Sequence, residues 1–199
     1  MKPILFNAQM VRAILEGRKT VTRRVVNPQP IAAVKTLYQK DGTNIWRTYG
    51  SDCWYEFRAP CVPGDILWVR ETWSRMETGK YLYKADNEKP ISYLGWRPSI
   101  HMPREAARIF LRVTDVRVER LQDITPDQID AEGCKEWAYS ATTGELLPSG
   151  PSWFKIAWDS TVKAKNMSTY SWDANPWVWV IEFERINKEE EAVWTMKSC

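Results

Sequence analysis

A short basic segment near the start of the sequence brings together side chains that could catalyse acyl transfer. Residues 17–24 read Gly-Arg-Lys-Thr-Val-Thr-Arg-Arg, so a lysine amine lies beside threonine hydroxyls. A hydroxyl becomes an effective nucleophile when a neighbouring base removes its proton, and Lys19 can be that base if it is partly neutral. The flanking Arg18, Arg23 and Arg24 favour this, because like charges disfavour the protonated lysine. The segment lacks the glycines of a phosphate-binding P-loop, so the sequence does not support nucleotide hydrolysis.

The elements that precede this segment can be predicted from local signals. Residues 3–6 are typical of a short strand, and Asn7 is a suitable N-cap for a following helix. The apolar residues of that helix share one face: Met10, Val11, Ile14 and Leu15. Gly17 stands where a glycine often ends a helix. The basic segment is therefore predicted to follow directly after a strand and a helix.

A second helix with clear boundary signals is predicted after the middle of the chain. Thr125, Pro126 and Gln128 have the spacing of a capping box with proline at the first helical position. Gly133 is expected to end the helix, which leaves Glu132 in its last turn. A carboxylate at the C-terminal end of a helix opposes the helix dipole, and this indicates that Glu132 has another role.

Further strands are predicted over residues 66–73, 109–119 and 177–183, and Ser152 can cap another helix. Alternation in the first strand places four side chains on one face: Leu67, Val69, Glu71 and Trp73. The run at 177–183 is nearly all apolar, so we expect a strand buried at the centre of a sheet.

The pattern Gly-x-Lys-Thr-x-Thr-x-Arg after a strand and a helix resembles the ASCH domain, a PUA-like β-barrel associated with RNA. The Ala-Glu-Gly at 131–133 and the closing Val-Ile-Glu-Phe at 180–183 add to the resemblance. More narrowly, the chain is similar to bacterial ASCH amidohydrolases that remove the acyl group from acetylcytidine. The resemblance implies an α+β fold, a mixed or antiparallel β-barrel with short flanking helices. It also implies a catalytic set of Lys19, Thr22 and Glu132.

The resemblance implies a role for each member of this set. Thr22 attacks the amide carbonyl of an acylated cytidine-type nucleoside or modified RNA base, Lys19 takes its proton, and Glu132 orients Lys19 and assists proton delivery to the leaving amine. Further residues are predicted to bind the nucleoside or single-stranded RNA: Arg18, Arg23, Arg24, Trp68, Glu71, Trp73 and His101. Two alternatives stay open, a non-catalytic module that binds RNA and a ribonuclease. No cofactor or metal is implied.

The domain organisation follows from the same comparison of motifs. We predict a single domain over residues 1–186, with insertions at about 27–62 and 134–172 that the shorter amidohydrolases lack, and a charged tail over 187–199. The residues at 68–73 and 96–104 are more similar to ASCH-like proteins common in phages and prophages.

Composition narrows the class of protein. The 199 residues carry a net charge of +3, and the longest uninterrupted apolar run, at 177–181, is far shorter than the roughly 20 residues that span a membrane. The first residues lack the apolar run of a signal peptide, so we expect a cytoplasmic protein. The four cysteines show no CxxC spacing and there is one histidine, so we expect free thiols and no zinc site. The sequence gives no signal for the oligomeric state.

Overall fold

The computed structural model describes residues 1–30, 36–40, 43–49, 54–86, 95–133 and 151–187. Within these ranges the chain is an α+β protein built around a five-stranded, mostly antiparallel sheet. This confirms the predicted fold class at that level. Smaller sheets of three and two strands and several short helices accompany the main sheet.

The strands and helices alternate irregularly along the chain. The strands are β1 (Lys2–Leu5), β2 (Val21–Val25), β3 (Thr36–Lys40), β4 (Thr43–Tyr49), β5 (Trp54–Arg58), β6 (Ile66–Arg70), β7 (Trp73–Arg75), β8 (Tyr81–Tyr83), β9 (Phe110–Arg120) and β10 (Trp177–Ile186). The helices are α1 (Ala8–Leu15), α2 (Pro126–Ala131), α3 (Pro151–Thr161) and α4 (Met167–Tyr170).

The main sheet has the strand order β1-β6-β9-β10-β2. β1 and β6 are parallel, and the other neighbours are antiparallel. The β9–β10 register shifts between Glu182 and Phe183, at the point where β2 begins to pair with β10. The order leaves β1 and β2 as the outer strands of the sheet in the described part of the chain.

β10 lies inside the sheet, as its nearly continuous apolar sequence predicts. Successive side chains of a strand point to opposite faces. Val178 and Val180 accordingly pack on one face, whereas Trp179 and Ile181 pack on the other. A strand covered on both faces needs apolar residues at every position, which explains why its sequence lacks alternation.

The two helices that flank the basic segment form where the capping signals predict them. Asn7 Oδ1 accepts a hydrogen bond from the Met10 backbone N–H at 2.8 Å and begins α1. At α2, the Thr125 side chain accepts from the Gln128 backbone, and the Gln128 side chain accepts from the Thr125 backbone. These reciprocal bonds satisfy donors that a helix start otherwise leaves unpaired.

The predicted strand over 66–73 ends earlier than its alternation indicated. β6 stops at Arg70, and Trp73 begins β7, which pairs with β8 in a separate hairpin. Ile66 and Trp68 pack in one apolar cluster, and Leu67 and Val69 in another, so β6 is buried on both faces. Trp73 joins the cluster of Trp68 because the two residues between β6 and β7 interrupt the alternation.

Parts of both predicted insertions form regular structure. β3, β4 and β5 make a three-stranded antiparallel meander within residues 27–62. α3 and α4 belong to the second insertion, and Phe154 and Trp158 of α3 pack on the main sheet beside Ile129 of α2. Residues 134–150 and the tail from 188 onward lie outside the described residues.

Gly133 ends α2 at a point of close approach to α1. Its φ of +74° lies in the left-handed region, and a Cβ there would stand 2.7 Å from Ala13 Cβ and 2.9 Å from Lys19 Cβ. Real Cβ atoms do not approach so closely, so this glycine allows α2 to lie against the turn that carries Lys19. Gly17 has a similar φ of +75°, but nothing lies within 4 Å of its Cβ position.

We predict that Gly133→Ala destabilises the protein more than Gly17→Ala. Both variants incur left-handed strain of about 1 kcal/mol. Gly133→Ala adds steric overlap of about 1–3 kcal/mol. Urea unfolding of the two variants measures the difference, and equal losses of stability would contradict the close approach of α2.

Candidate functional site

A turn over residues 17–20 positions the basic segment. The backbone N–H groups of Arg18 and Lys19 both donate to the Ala13 carbonyl at the end of α1, at 2.9 and 3.0 Å. Thr20 N–H donates to the Ala131 carbonyl of α2 at 2.9 Å. Lys19 therefore lies in the turn and not in β2, which starts at Val21. Strand alternation thus does not place Lys19 and Thr22 on opposite faces of the sheet.

Lys19 is buried, with 2% of its surface exposed. Its Nζ donates to Glu132 Oε2 at 2.6 Å, to the Val21 carbonyl at 2.7 Å and to the Glu132 carbonyl at 3.0 Å. An ammonium group has three protons and no acceptor, so these three bonds engage all of its protons. Lys19 is thus held by three acceptors at once, one carboxylate oxygen and two backbone carbonyls.

Glu132 is held by two cations. Besides Lys19 on Oε2, Arg23 Nη1 donates to Oε1 at 3.2 Å. Arg23 Nη2 donates to Gln128 Oε1 at 2.8 Å and lies 3.5 Å from Glu119 Oε2. A buried carboxylate requires such pairing to offset its loss of hydration. The pairing also explains a carboxylate at the C-terminal end of α2, because the ammonium of Lys19 binds the carbonyl there.

A cavity of about 650 Å³ opens beside this ion-pair cluster. Thr22, Arg23, Arg24 and Glu132 form a polar wall, whereas Lys19 lies behind Glu132 and does not line the cavity. The facing wall and rim come from α3 and the chain after it: Phe154, Ala157, Trp158, Thr161, Val162, Lys163, Lys165, Asn166 and Tyr170. Three members of the predicted set are thus brought together, two at the cavity and one directly behind it.

Arg24 lies at the edge of the same wall. Its Nη2 donates to the Leu5 carbonyl of β1 at 2.8 Å and its Nη1 to the Arg23 carbonyl at 3.1 Å. The guanidinium stands 5.2 Å from the Phe6 ring centre. Burial lowers the pKa of Arg24, while the charge of Glu132 acts in the opposite direction. This side chain links the two outer strands of the main sheet.

Arg18 does not line the cavity. Its Nε donates to Glu16 Oε2 at 2.7 Å and its Nη1 to the Gly133 carbonyl at 3.1 Å. Arg18 therefore ties the end of α1 to the end of α2. Its position supports the turn that carries Lys19.

Four residues predicted to bind substrate lie away from the cavity. Trp68 and Trp73 are 7% and 4% exposed in an apolar cluster with Met102, so neither ring is available to stack on a base. His101 is exposed in a short turn over Ser99–His101. Glu71 is buried in the two-residue link between β6 and β7.

Glu71 forms a structural ion pair. Arg108 Nε and Nη2 donate to its two carboxylate oxygens at 2.8 and 3.0 Å, and Arg108 also binds Asp86. Burial raises the pKa of Glu71, and the Arg108 bonds act against that rise. The carboxylate is saturated by an arginine from the segment before β9, which explains a charged residue among apolar neighbours.

The sequence interpretation missed the residues that complete the cavity. Gln128 was predicted as a cap residue, but the same Oε1 also accepts from Arg23. The wall from α3 and the rim lysines, Lys163 and Lys165, were also missed. A Lys-x-Lys pair directly after an amphipathic helix containing Trp158 was the available signal.

Comparisons with protein-family models, with curated proteins and with solved structures find no match to this chain. Assignment of a function therefore depends on the geometry of the cavity and its ion pairs. Within the described ranges, no helix is long and apolar enough to cross a membrane. The same part of the chain holds no group of three or more His, Cys, Asp or Glu side chains that could bind a metal ion.

Cys61 is a free, buried thiol. Burial and the charge of Asp65 raise its pKa to about 11. The other cysteines at positions 53, 134 and 199, also predicted to be free thiols, lie outside the described residues.

We predict that Cys61 resists alkylation in the folded protein, because the thiolate is the reactive form and a raised pKa makes it scarce at neutral pH. Peptide mass spectrometry after iodoacetamide treatment, with and without urea, measures this. Labelling of Cys61 at the same rate in both conditions would show that the thiol is accessible.

We also predict strong energetic coupling between Lys19 and Glu132. Lys19→Met and Glu132→Gln should each cost about 3–5 kcal/mol, because each leaves buried charge with fewer partners. The double variant should cost less than the sum of the two, by about 2 kcal/mol or more.

An exposed ion pair provides the control for this cycle. Arg112 and Glu184 are paired at 2.7 Å on β9 and β10, with side chains 43% and 52% exposed. The cycle of Arg112→Met and Glu184→Gln should give coupling below about 1 kcal/mol. Similar coupling at the two pairs, measured by urea unfolding, would contradict the burial of the Lys19–Glu132 pair.

Proposed function

We propose that the cavity is the active site of an amidohydrolase that removes the acyl group from an acylated cytidine-type nucleoside or modified RNA base. The observation that carries the proposal is the buried Lys19–Glu132 ion pair beside Thr22. Its two residues are 113 positions apart in the sequence and 2.6 Å apart in the structure. Burying two charges is costly, and a buried ion pair beside a cleft is therefore a candidate for a functional role.

The geometry supports a nucleophilic role for Thr22. Thr22 lines the cavity next to Glu132, and the residue before it, Val21, accepts a hydrogen bond from Lys19 through its carbonyl. Thr22 is 1% exposed, so its hydroxyl is enclosed in the cavity wall, and the proposal requires a substrate to reach it from the cavity. A hydroxyl with adjacent proton-accepting groups is the usual arrangement for covalent catalysis of acyl transfer.

The engaged protons of Lys19 determine the order of proton transfers. A proton first moves from Lys19 to Glu132 along their 2.6 Å hydrogen bond, which gives a neutral amine and a carboxylic acid. The amine then turns its lone pair from Glu132 to Thr22 and accepts the hydroxyl proton as the threonine oxygen bonds to the acyl carbon. The carbon–nitrogen bond breaks, and Glu132 returns its proton to the leaving cytosine amine. Water then hydrolyses the threonine ester, releasing the carboxylic acid and regenerating Thr22.

Arg23 supplies positive charge for the intermediate. The attack of Thr22 places negative charge on the former carbonyl oxygen of the acyl group. Arg23 lines the same wall and is fixed by Glu132 and Gln128. A charge held in place before the reaction stabilises the oxyanion without reorganisation.

The relation to ASCH proteins is part of this proposal. It is supported by the contact of Lys19 with Glu132, the two distant positions that the resemblance pairs. The PUA-like β-barrel is likewise part of the proposal. The main sheet has β1 and β2 as its outer strands, and the Arg24 side chain spans from β2 to the Leu5 carbonyl at 2.8 Å.

A non-catalytic module for single-stranded RNA is the second candidate. The observation that favours it is the exposed rim of the cavity, where Lys163 and Lys165 stand with Tyr170. Cations and an aromatic ring at one groove are typical of surfaces that bind single strands. Such a module would bind RNA with a steep salt dependence and turn over none of the acylated nucleosides.

We predict that Thr22→Val abolishes deacylation and Thr22→Ser retains a measurable part of it. Valine keeps the shape of threonine but lacks the nucleophile, so kcat should fall by roughly a hundredfold or more, the scale of a lost catalytic group. The assay is release of cytidine from a panel of acylated cytidines, followed by mass spectrometry. Equal turnover by parent and Thr22→Val would remove Thr22 from the mechanism.

Lys19→Arg provides an independent test of proton transfer. Arginine keeps the positive charge, but guanidinium does not release its proton to a carboxylate. We expect loss of turnover by about a hundredfold or more with nucleoside binding retained. Thermal unfolding confirms that the variant is folded, and near-normal turnover by a folded Lys19→Arg protein would refute the Lys19 role.

A further inference from the structure

More cations than carboxylates line the cavity. Among the residues that the structure describes, its charged lining residues are four cations, Arg23, Arg24, Lys163 and Lys165, and a single carboxylate, Glu132. That carboxylate is already bound by Arg23 and by Lys19. Among the described residues, Arg24 and the two lysines form no ion pair with a carboxylate, although the charge of Glu132 acts on Arg24 from a distance.

Arg24 shows this imbalance most clearly. It is half-buried, and its hydrogen bonds go to two backbone carbonyls, those of Leu5 and Arg23. Within the described residues no carboxylate forms an ion pair with it. Taking a charge from water without a counter-ion is unfavourable, so an anionic ligand would stabilise this arrangement.

The other two cations belong to the segment between α3 and α4. Lys163 and Lys165 are exposed and, among the residues that the structure describes, neither forms an ion pair. This segment lies in the second insertion, outside the part of the sequence that resembles the ASCH amidohydrolases. Tyr170, which is half-buried, lines the cavity with them and offers a ring surface to a base or sugar.

We propose that this side of the cavity is a phosphate subsite, and that the protein acts on a nucleoside monophosphate rather than on a free nucleoside. The inference rests on the proposed function for the position of the base, whose acyl group would lie at Thr22. Lys163, Lys165 and Arg24 then bind the phosphate. A volume of about 650 Å³ is in the range of pockets for single small ligands, which favours a mononucleotide over a length of RNA.

The test is a binding measurement that does not require turnover. Isothermal titration compares cytidine, cytidine 5′-monophosphate, cytidine 3′-monophosphate and a short cytidine-containing RNA. The proteins are the parent, the Lys163→Ala/Lys165→Ala variant and a matched Lys80→Ala/Lys84→Ala control. Lys80 and Lys84 are exposed on the β7–β8 hairpin and do not line the cavity. Replacing them with alanine removes the same amount of positive charge as the Lys163→Ala/Lys165→Ala variant.

We expect the parent to bind one monophosphate at least about tenfold more tightly than cytidine, the scale of a charged hydrogen bond. The Lys163→Ala/Lys165→Ala variant should lose this preference and retain its affinity for cytidine, while the control variant keeps both. Equal affinities of the parent for cytidine and both monophosphates would overturn the subsite. A preference that survives in the Lys163→Ala/Lys165→Ala variant would also overturn it.

The remaining outcomes separate the subsite from the proposed reaction. If monophosphate binding depends on the two lysines but no deacylase activity is found, the phosphate subsite is supported and the proposed amidohydrolase function is rejected. Deacylation of nucleoside and nucleotide with equal kcat/KM removes the subsite alone. If the RNA binds much more tightly than either monophosphate and with a steep salt dependence, the proposal of a mononucleotide ligand is overturned and RNA is favoured as the ligand.

Discussion

The buried ion pair between Lys19 and Glu132 is the interaction on which the rest of the site depends. The attraction between two buried charges offsets their loss of hydration only when their remaining hydrogen-bonding groups are also satisfied. Lys19 meets this condition through two backbone carbonyls, and Glu132 through Arg23. The features around the pair serve the same end, since Gly133 lets α2 approach the Lys19 turn and Arg18 ties the two helix ends together.

This arrangement separates the groups that hold charge from the groups that meet a ligand. Lys19, Thr22 and Glu132 are all enclosed, but only Thr22 and Glu132 line the cavity. An enclosed ion pair is screened little by solvent, so in the proposed mechanism proton transfer within the pair would respond to charge that develops on a substrate. The facing wall, from α3, adds aromatic surface, and the segment after α3 places at the rim two lysines that form no ion pair with any described residue. We propose that the main sheet and α2 provide the chemistry and that α3 and the segment after it provide the surface that selects the ligand.

The sequence was most informative where a local rule determines the structure. The caps at Asn7 and Thr125 and the central strand over 177–183 depend on neighbouring residues, and each is confirmed. The contact of Lys19 with Glu132 was expected only from the proposed relation to ASCH proteins; no local pattern pairs residues so far apart.

The predictions for Trp68 and Trp73 concerned surroundings that a local pattern does not specify. Alternation along 66–73 indicated one buried face, but both faces of β6 are covered by separate apolar clusters. A tryptophan in such a strand has the same sequence appearance whether it packs in a core or stands at a binding surface. Glu71 is comparable, because its arginine partner lies 37 positions away. The α3 wall was missed since its placement depends on tertiary packing against α2 and the sheet.

The most direct test of the account is to trap the covalent intermediate. An acylated cytidine with a bulky, slowly hydrolysed acyl group is mixed with the protein, the reaction is stopped with acid, and the peptides are mapped by mass spectrometry. The account predicts a mass increase equal to the acyl group on Thr22, and no such adduct in Thr22→Val. Acylation of a different residue, or turnover by Thr22→Val equal to that of the parent, would contradict it.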